Sequence, residues 1–284
     1  MHINYWTELK RNRFGRIGLI MVSILVLVAL AAPFLAPHNP WVYQGQPLTP
    51  PSEEYILGLN DIGQDILSEL IYGTRTTLLV GVSVAVFSTL ISLALALAAA
   101  LGGGIVDRII LRLIDIMLIL PVFLIAILVA IYFKPGVVTI IIMLTLLLWP
   151  PGARILRAQT LSLKERQHLT AASSFGAGKG YLVYRHLIPD LYPLLTVNLI
   201  QMVRRTVFME AGLAFLGIFD PTQKSWGLMI HYASEFIFTG AWKWWLLPPG
   251  LLISYTIIGF ALIGYALESS LDPRLRRNIH YVGH

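Results

Sequence analysis

The 284-residue chain contains no cysteine, which excludes disulfides, thiolate-held metals and cysteine nucleophiles together. Charge is scarce as well. Asp, Glu, Lys and Arg make up 13% of the chain, against about 25% in soluble domains. No repeat at a period of about 20–50 residues and no low-complexity tract is present. No Ser-His-Asp set or paired carboxylates stand at an aqueous face, so catalysis is not expected. Of the seven histidines only His280 and His284 share a helical spacing, and their glycine-containing tail reads as solvated rather than metal-ligating. No cofactor is expected on this chain. Long apolar runs fill the space that these absences leave.

Apolar residues make up 56% of the chain and the mean hydropathy is +0.72, values of a polytopic membrane protein. Six stretches approach the roughly 20 apolar residues that a membrane-crossing helix needs: about 17–37, 77–101, 113–133, 136–156, 191–217 and 245–267. The stretches 76–106 and 244–267 carry no charge at all, whereas the fifth span contains Arg204, Arg205 and Glu210. The first run is too long for the roughly 7–15-residue core of a cleaved signal, so it is expected to remain as a span. The basic segment before it suits a helix lying on anionic lipid.

A net charge of +6 would suggest nucleic acid as a partner of a soluble protein, but here the basic residues follow topology. With both termini inside, 15 of the 21 Lys and Arg fall on the cytoplasmic side, and only Arg75, Lys134, Lys224 and Lys243 fall outside. The positive-inside rule therefore predicts two cytoplasmic ends. Three sections follow: 1–75 (tail, first span and external loop), 76–268 (the core, with a cytoplasmic loop over 160–189) and 269–284 (a tail). Prolines exclude regular helix from the start of the 38–75 loop. Ile62, Ile66, Leu67, Leu70 and Ile71 then predict a small amphipathic helix on the outer surface. Trp242, Trp244 and Trp245 read as an interfacial belt.

Residues 168–189, HLTAASSFGAGKGYLVYRHLIP, form a polar island in this apolar chain. Ala171 and Ala172 offer a smooth face for close approach. Gly176 suits the left-handed position that ends a helix, Gly178 and Gly180 free the chain to turn, and Pro189 suits the first turn of the next helix. The GAGKG run is not a phosphate loop: Ser173 stands where the first glycine is needed, and Gly180 follows Lys179 where Ser or Thr is required. Nucleotide hydrolysis therefore has to come from another chain. Among the membrane charges, Asp115 and Arg112 are spaced for a local ion pair. Glu210 is expected either to compensate an arginine or to line a wet cavity with Arg204 and Arg205, which would meet a carboxylate on a solute.

The spacing of Ala171, Ala172, Gly176, Ile188 and Pro189 resembles the EAA loop of binding-protein-dependent ABC import permeases. Four further segments extend the resemblance over nearly the whole length. The external pattern runs through Pro50, Pro51, Leu57, Gly58, Asp61, Gly63, Asp65, Leu67, Ser68, Leu70, Tyr72, Gly73 and Arg75. Arg112, Asp115 and Pro121 mark the third span. Glu210, Ala211, Leu213, Phe215, Leu216 and Gly217 precede Ser225, Trp226 and Gly227, and LDPRLR begins at Leu271. Together these resemble the C-type subunit of dipeptide, oligopeptide and nickel importers.

That resemblance implies an all-α membrane protein with six transmembrane helices, the type I (MetI-like) permease fold, in the bacterial inner membrane. It implies a homologous permease as heterodimer partner, two cytoplasmic ATPases that bind ATP–Mg, and an external solute-binding protein. Thr170, Ala171, Ala172, Gly176 and Gly178 would couple to the ATPase. Arg204, Arg205 and Glu210 would be candidates for the path. Asp61, Gln64, Asp65 and Glu69 would be candidates for docking the binding protein. The sequence departs from the family at Thr170, which replaces the usual acid, and at Gln64 and Glu69, which replace arginines. Thr170 is expected to cap its helix, with Arg166 or Lys179 sharing the docking to the ATPase. Peptides are the first expectation for substrate, and nickel or a metal chelate the alternative. An ion-coupled carrier using Glu210, or a membrane assembly protein without transport, are the readings from other classes.

Overall fold

The element boundaries of the computed structural model fall where prolines, glycines and capping side chains interrupt the apolar runs. It describes Leu9 and residues 11–133 and 136–271. Expectations on the basic tail from Asp272 onward, on His280 and His284, on Lys134 and on the first eight residues lie outside the described residues. Among the described residues all regular elements are helical, and one isolated bridge pairs Leu59 with Asp65. Helix α1 is Arg13–Leu35, started by the Asn12 side chain, which accepts from the Phe14 N–H at 2.9 Å. Helix α2 is Ile66–Gly102, α3 Gly104–Ile119, α4 Val122–Tyr132 and α5 Val137–Lys164. The short α6 (Gln167–Ser174) and α7 (Lys179–Leu182) lead through a π turn at Val183–Leu187 into α8, Ile188–Phe215. Helices α9 (Trp226–Glu235), α10 (Trp242–Trp245) and α11 (Leu247–Leu271) complete the order.

Four helical stretches are long and apolar enough to cross a bilayer: α1, α2, α5 and 242–269; α3 and α4 add a fifth if they form one bent span. The sixth expected crossing coincides with α8, whose 28 residues extend about 42 Å but carry the charges already noted. The third span, expected as one rod over 113–133, is instead a corner of 88° between α3 and α4. Leu120 precedes a proline and is extended at ψ 131°, while Pro121 caps α4. A proline disfavours helical backbone in the residue before it and brings no N–H of its own. The separate surface helix expected at 62–71 is absent: from Ile66 on it is the start of α2, a 37-residue rod of about 55 Å.

Helix α2 runs through the middle of the bundle against α5 and α8, with α11 on α8 and α1 on α11. Missing side chains permit the close approaches. A Cβ on Gly18 would stand 2.7 Å from the Gly259 carbonyl, and one on Gly81 would stand 2.9 Å from Val207. Such small-residue contacts are how helices approach in a medium where apolar burial does not discriminate. The same device explains two motifs. A Cβ on Gly227 would lie 2.6 Å from the Ala211 carbonyl, so Gly227 and Ala211 are spaced to let α9 rest on the backbone of α8. Gly73 makes room for Trp226, whose buried indole donates to the Leu70 carbonyl at 3.0 Å.

Candidate functional site

At one end of the bundle α6 stands out from the body on a single apolar anchor. Leu169 is buried with Ala96, Leu156, Leu163, Leu187 and Leu191, while Thr170 and Ala171 are exposed and Ala172 is half-buried. The helix starts at Gln167, so Thr170 lies inside it and does not cap it. Its hydroxyl donates back to the Arg166 carbonyl at 3.2 Å. Gly176 does end the helix, at φ +84°, and the Ala177 N–H reaches the Ala172 carbonyl at 3.1 Å, the long bond of a Schellman closure. The next side chain back, Phe175, is 92% exposed.

Two lysines flank this helix and tie it to α2. Lys164 donates to the Ala100 carbonyl at 2.6 Å and Lys179 to the Leu101 carbonyl at 3.2 Å. Both carbonyls belong to the last turn of α2, where cations are favoured by unpaired C=O groups. Lys179, expected to share the docking to the ATPase, is therefore engaged within the chain, whereas Arg166 remains exposed. His168 pairs with Asp190 at 3.3 Å, linking α6 to the start of α8. Pro189 sits in that first turn, as expected. Nearby, Arg157 forks onto Asp107 with two contacts of 2.5 Å, and Arg154, not Arg112, pairs with Asp115.

The opposite end is closed by the 38–65 loop. Asp65 accepts from the Ser68 N–H at 2.9 Å and so caps α2, and Asn60 accepts from the Gln64 N–H at 2.8 Å. Gly63 turns between them at φ +72°. Gln64, Asp65 and Glu69 are buried. Lys224 from the 216–225 segment donates to both Gln64, at 2.6 Å, and Glu69. Asp61 alone of the four docking candidates is half-exposed. Burial pushes its carboxyl above the usual range, and Glu235 adds to the effect. Trp41, Val42 and Tyr43 are exposed on the same end.

Between these ends lies a groove of about 760 Å³. Pro151 and Ile155 of α5 form one wall; Asn198, Gln201, Arg204 and Arg205 of α8 and Glu268 of α11 supply its polar groups. Arg204 is half-buried and Arg205 exposed, and among the described residues neither has a carboxylate partner. Glu210 does not compensate them. It lies about 140° round the helix from Arg205 and is fully buried without a hydrogen bond, beside the hydroxyls of Thr77 and Ser225. Sequence reasoning missed Glu268, Gln201 and Lys164. Glu268 was visible as the one acid near the end of an otherwise uncharged span; nothing local marked the other two.

Residues 91–277 match the family model described as binding-protein-dependent transport system inner membrane component. Residues 4–51 match that of the N-terminal TM domain of oligopeptide transport permease C. The dipeptide transport system permease protein DppC of Bacillus subtilis is 34% identical over 277 residues, covering 96% of this chain and 85% of its own length. The oligopeptide transport system permease protein OppC of the same organism is 32% identical over 273 residues, 94% of this chain and 88% of its own. A putative peptide permease protein of Brucella ovis is 32% identical over 271 residues, 94% and 89%.

Proposed function

The chain belongs to the family of binding-protein-dependent transport system inner membrane components, and from that premise we propose that it forms half of an ATP-driven path for di- and oligopeptides. The names of its relatives support peptides; nickel or a metal chelate has no such support. A homologous permease forms the other half. Two ATPase subunits, carrying ATP–Mg, sit beneath, and a solute-binding protein delivers the peptide from outside.

In this reading both termini and α6 are cytoplasmic. Thr170, Ala171, Ala172, Gly176 and Gly178 form the part that meets the ATPase, with Phe175 inserted into its surface. The two lysines and the His168–Asp190 pair pass the motion on to α2 and α8. Arg204 and Arg205 line the path, and Glu210 acts from behind it, through Thr77 and Ser225. The binding protein docks on Asp61 and the exposed aromatics near it, while Gln64, Asp65 and Glu69 hold that surface in shape.

The observation that carries the proposal is the exposed, glycine-ended helix α6, which an ion-driven carrier has no use for. A cysteine at Ala172 should crosslink to the ATPase in the assembled transporter, and peptide uptake should need ATP while resisting an uncoupler. Uptake that collapses with the uncoupler and survives without the ATPase would refute it.

A further inference from the structure

We infer that the groove between α5, α8 and α11 is a subsite for the two charged ends of a short peptide, taking its carboxylate on Arg204 and Arg205 and its ammonium on Glu268. The inference rests on the peptide reading above and specifies how the path would recognise its cargo.

On the reading that α8 crosses the bilayer, its two guanidiniums need a counter-charge, because an unpaired cation inside the membrane is strongly disfavoured. Among the described residues no carboxylate pairs with either, and the one acid that lines their groove is Glu268. Each guanidinium presents a planar fork of donors that matches a carboxylate in two parallel bonds. Glu268 is the complement. Gln201 donates to its Oε1 at 2.8 Å, a neutral contact that orients the carboxylate and leaves its negative charge and other oxygen available. The side chain is exposed to the groove.

Spacing selects a short ligand. Gln201, which holds Glu268, lies one helical turn from Arg205, about 6 Å along the axis. Two extended residues span at most about 7 Å. The volume of about 760 Å³ lies within the roughly 300–1,000 Å³ of small-ligand sites. Pro151 and Ile155 offer only apolar contact, which tolerates different side chains. Charge at the ends and indifference between them describe a peptide recognised by its termini.

The test uses the complete transporter, with its partner subunits and binding protein, in proteoliposomes. Uptake of dialanine is compared with that of its C-terminal amide and its N-acetyl form. The binding protein is common to every arm, so the change in each ratio from wild type to variant reports on the groove. Arg204→Met with Arg205→Met should cut the preference for free acid over amide by about tenfold or more, and Arg205→Lys alone should retain part of it. Glu268→Gln should cut the preference for free amine over N-acetyl and leave the acid-to-amide ratio in place. If the double arginine variant does not assemble, Glu268→Gln decides alone. Unchanged ratios in variants that still take up peptide would overturn the inference and leave the peptide permease intact. The same holds for arginine variants that lose only the partner permease. A wild-type transporter that takes up no peptide would refute the peptide reading itself.

Discussion

Lys224 joins two parts of the chain far apart in sequence, and its contacts decide what the acidic loop before α2 can do. Its ammonium and the Glu69 carboxylate are only 11% and 6% exposed, so Lys224→Met should leave a buried, uncompensated charge. The expected loss is about 3–5 kcal/mol, read as a lower thermal midpoint of the detergent-solubilised complex. Adding Glu69→Leu should recover most of it, because removing both charges also removes the burial penalty. Composition shows that Asp61, Gln64, Asp65 and Glu69 are polar; it does not show that three of them face inward. That follows from Asn60, Asp65 and Ser68 satisfying the backbone of the turn, and from a lysine 155 positions away from Glu69. Glu210 is a similar case. Its place in the chain marks it as an intramembrane acid, but only the bundle shows which face of α8 it occupies. The Asp115 partner was misjudged for the same reason: helical spacing favoured Arg112, and the approach of α5 brought Arg154.

At the level of elements, α6 is the part most legible beforehand, because its signals are local. A glycine at positive φ ends a helix whatever surrounds it, and a proline at the next helix start needs no distant contact. The lysine contacts flanking α6 were not legible, since Ala100 and Leu101 are 64 and 78 residues from their lysines. If those contacts carry the stroke, Lys164→Met combined with Lys179→Met should leave ATP hydrolysis near wild type. Peptide delivered per ATP should fall several-fold, measured as both rates on one proteoliposome preparation. Equal loss of both activities would mean that the lysines only stabilise the fold. The corner at Pro121 belongs to this scale too. Hydropathy counts apolar residues without regard to direction, so it merged two helices at 88° into one span.

At the scale of the molecule the ends of the bundle separate cleanly. Residues 100–112 and 154–190 gather at one end, and the 38–68 loop meets the 220–225 loop at the other, where the Trp41 indole donates to the Thr222 carbonyl at 2.9 Å. Because the chain has no cysteine of its own, single cysteines test the orientation without background. Phe175→Cys should react with a membrane-impermeant maleimide only in inverted vesicles, and Tyr43→Cys only in right-side-out cells. The reverse pattern would place α6 outside and remove the proposed coupling. Membrane class, helix identity, the loop that ends in glycine and the family pattern could all be read from composition and short-range spacing. Each depends on residues within a few positions of one another or on the chain average. Which acids are buried, which arginines lack a carboxylate partner among the described residues, where α3 turns into α4 and how Glu268 comes to face a groove with Arg204 and Arg205 depended on folding. Those are contacts between distant helices, set by where missing side chains let backbones touch.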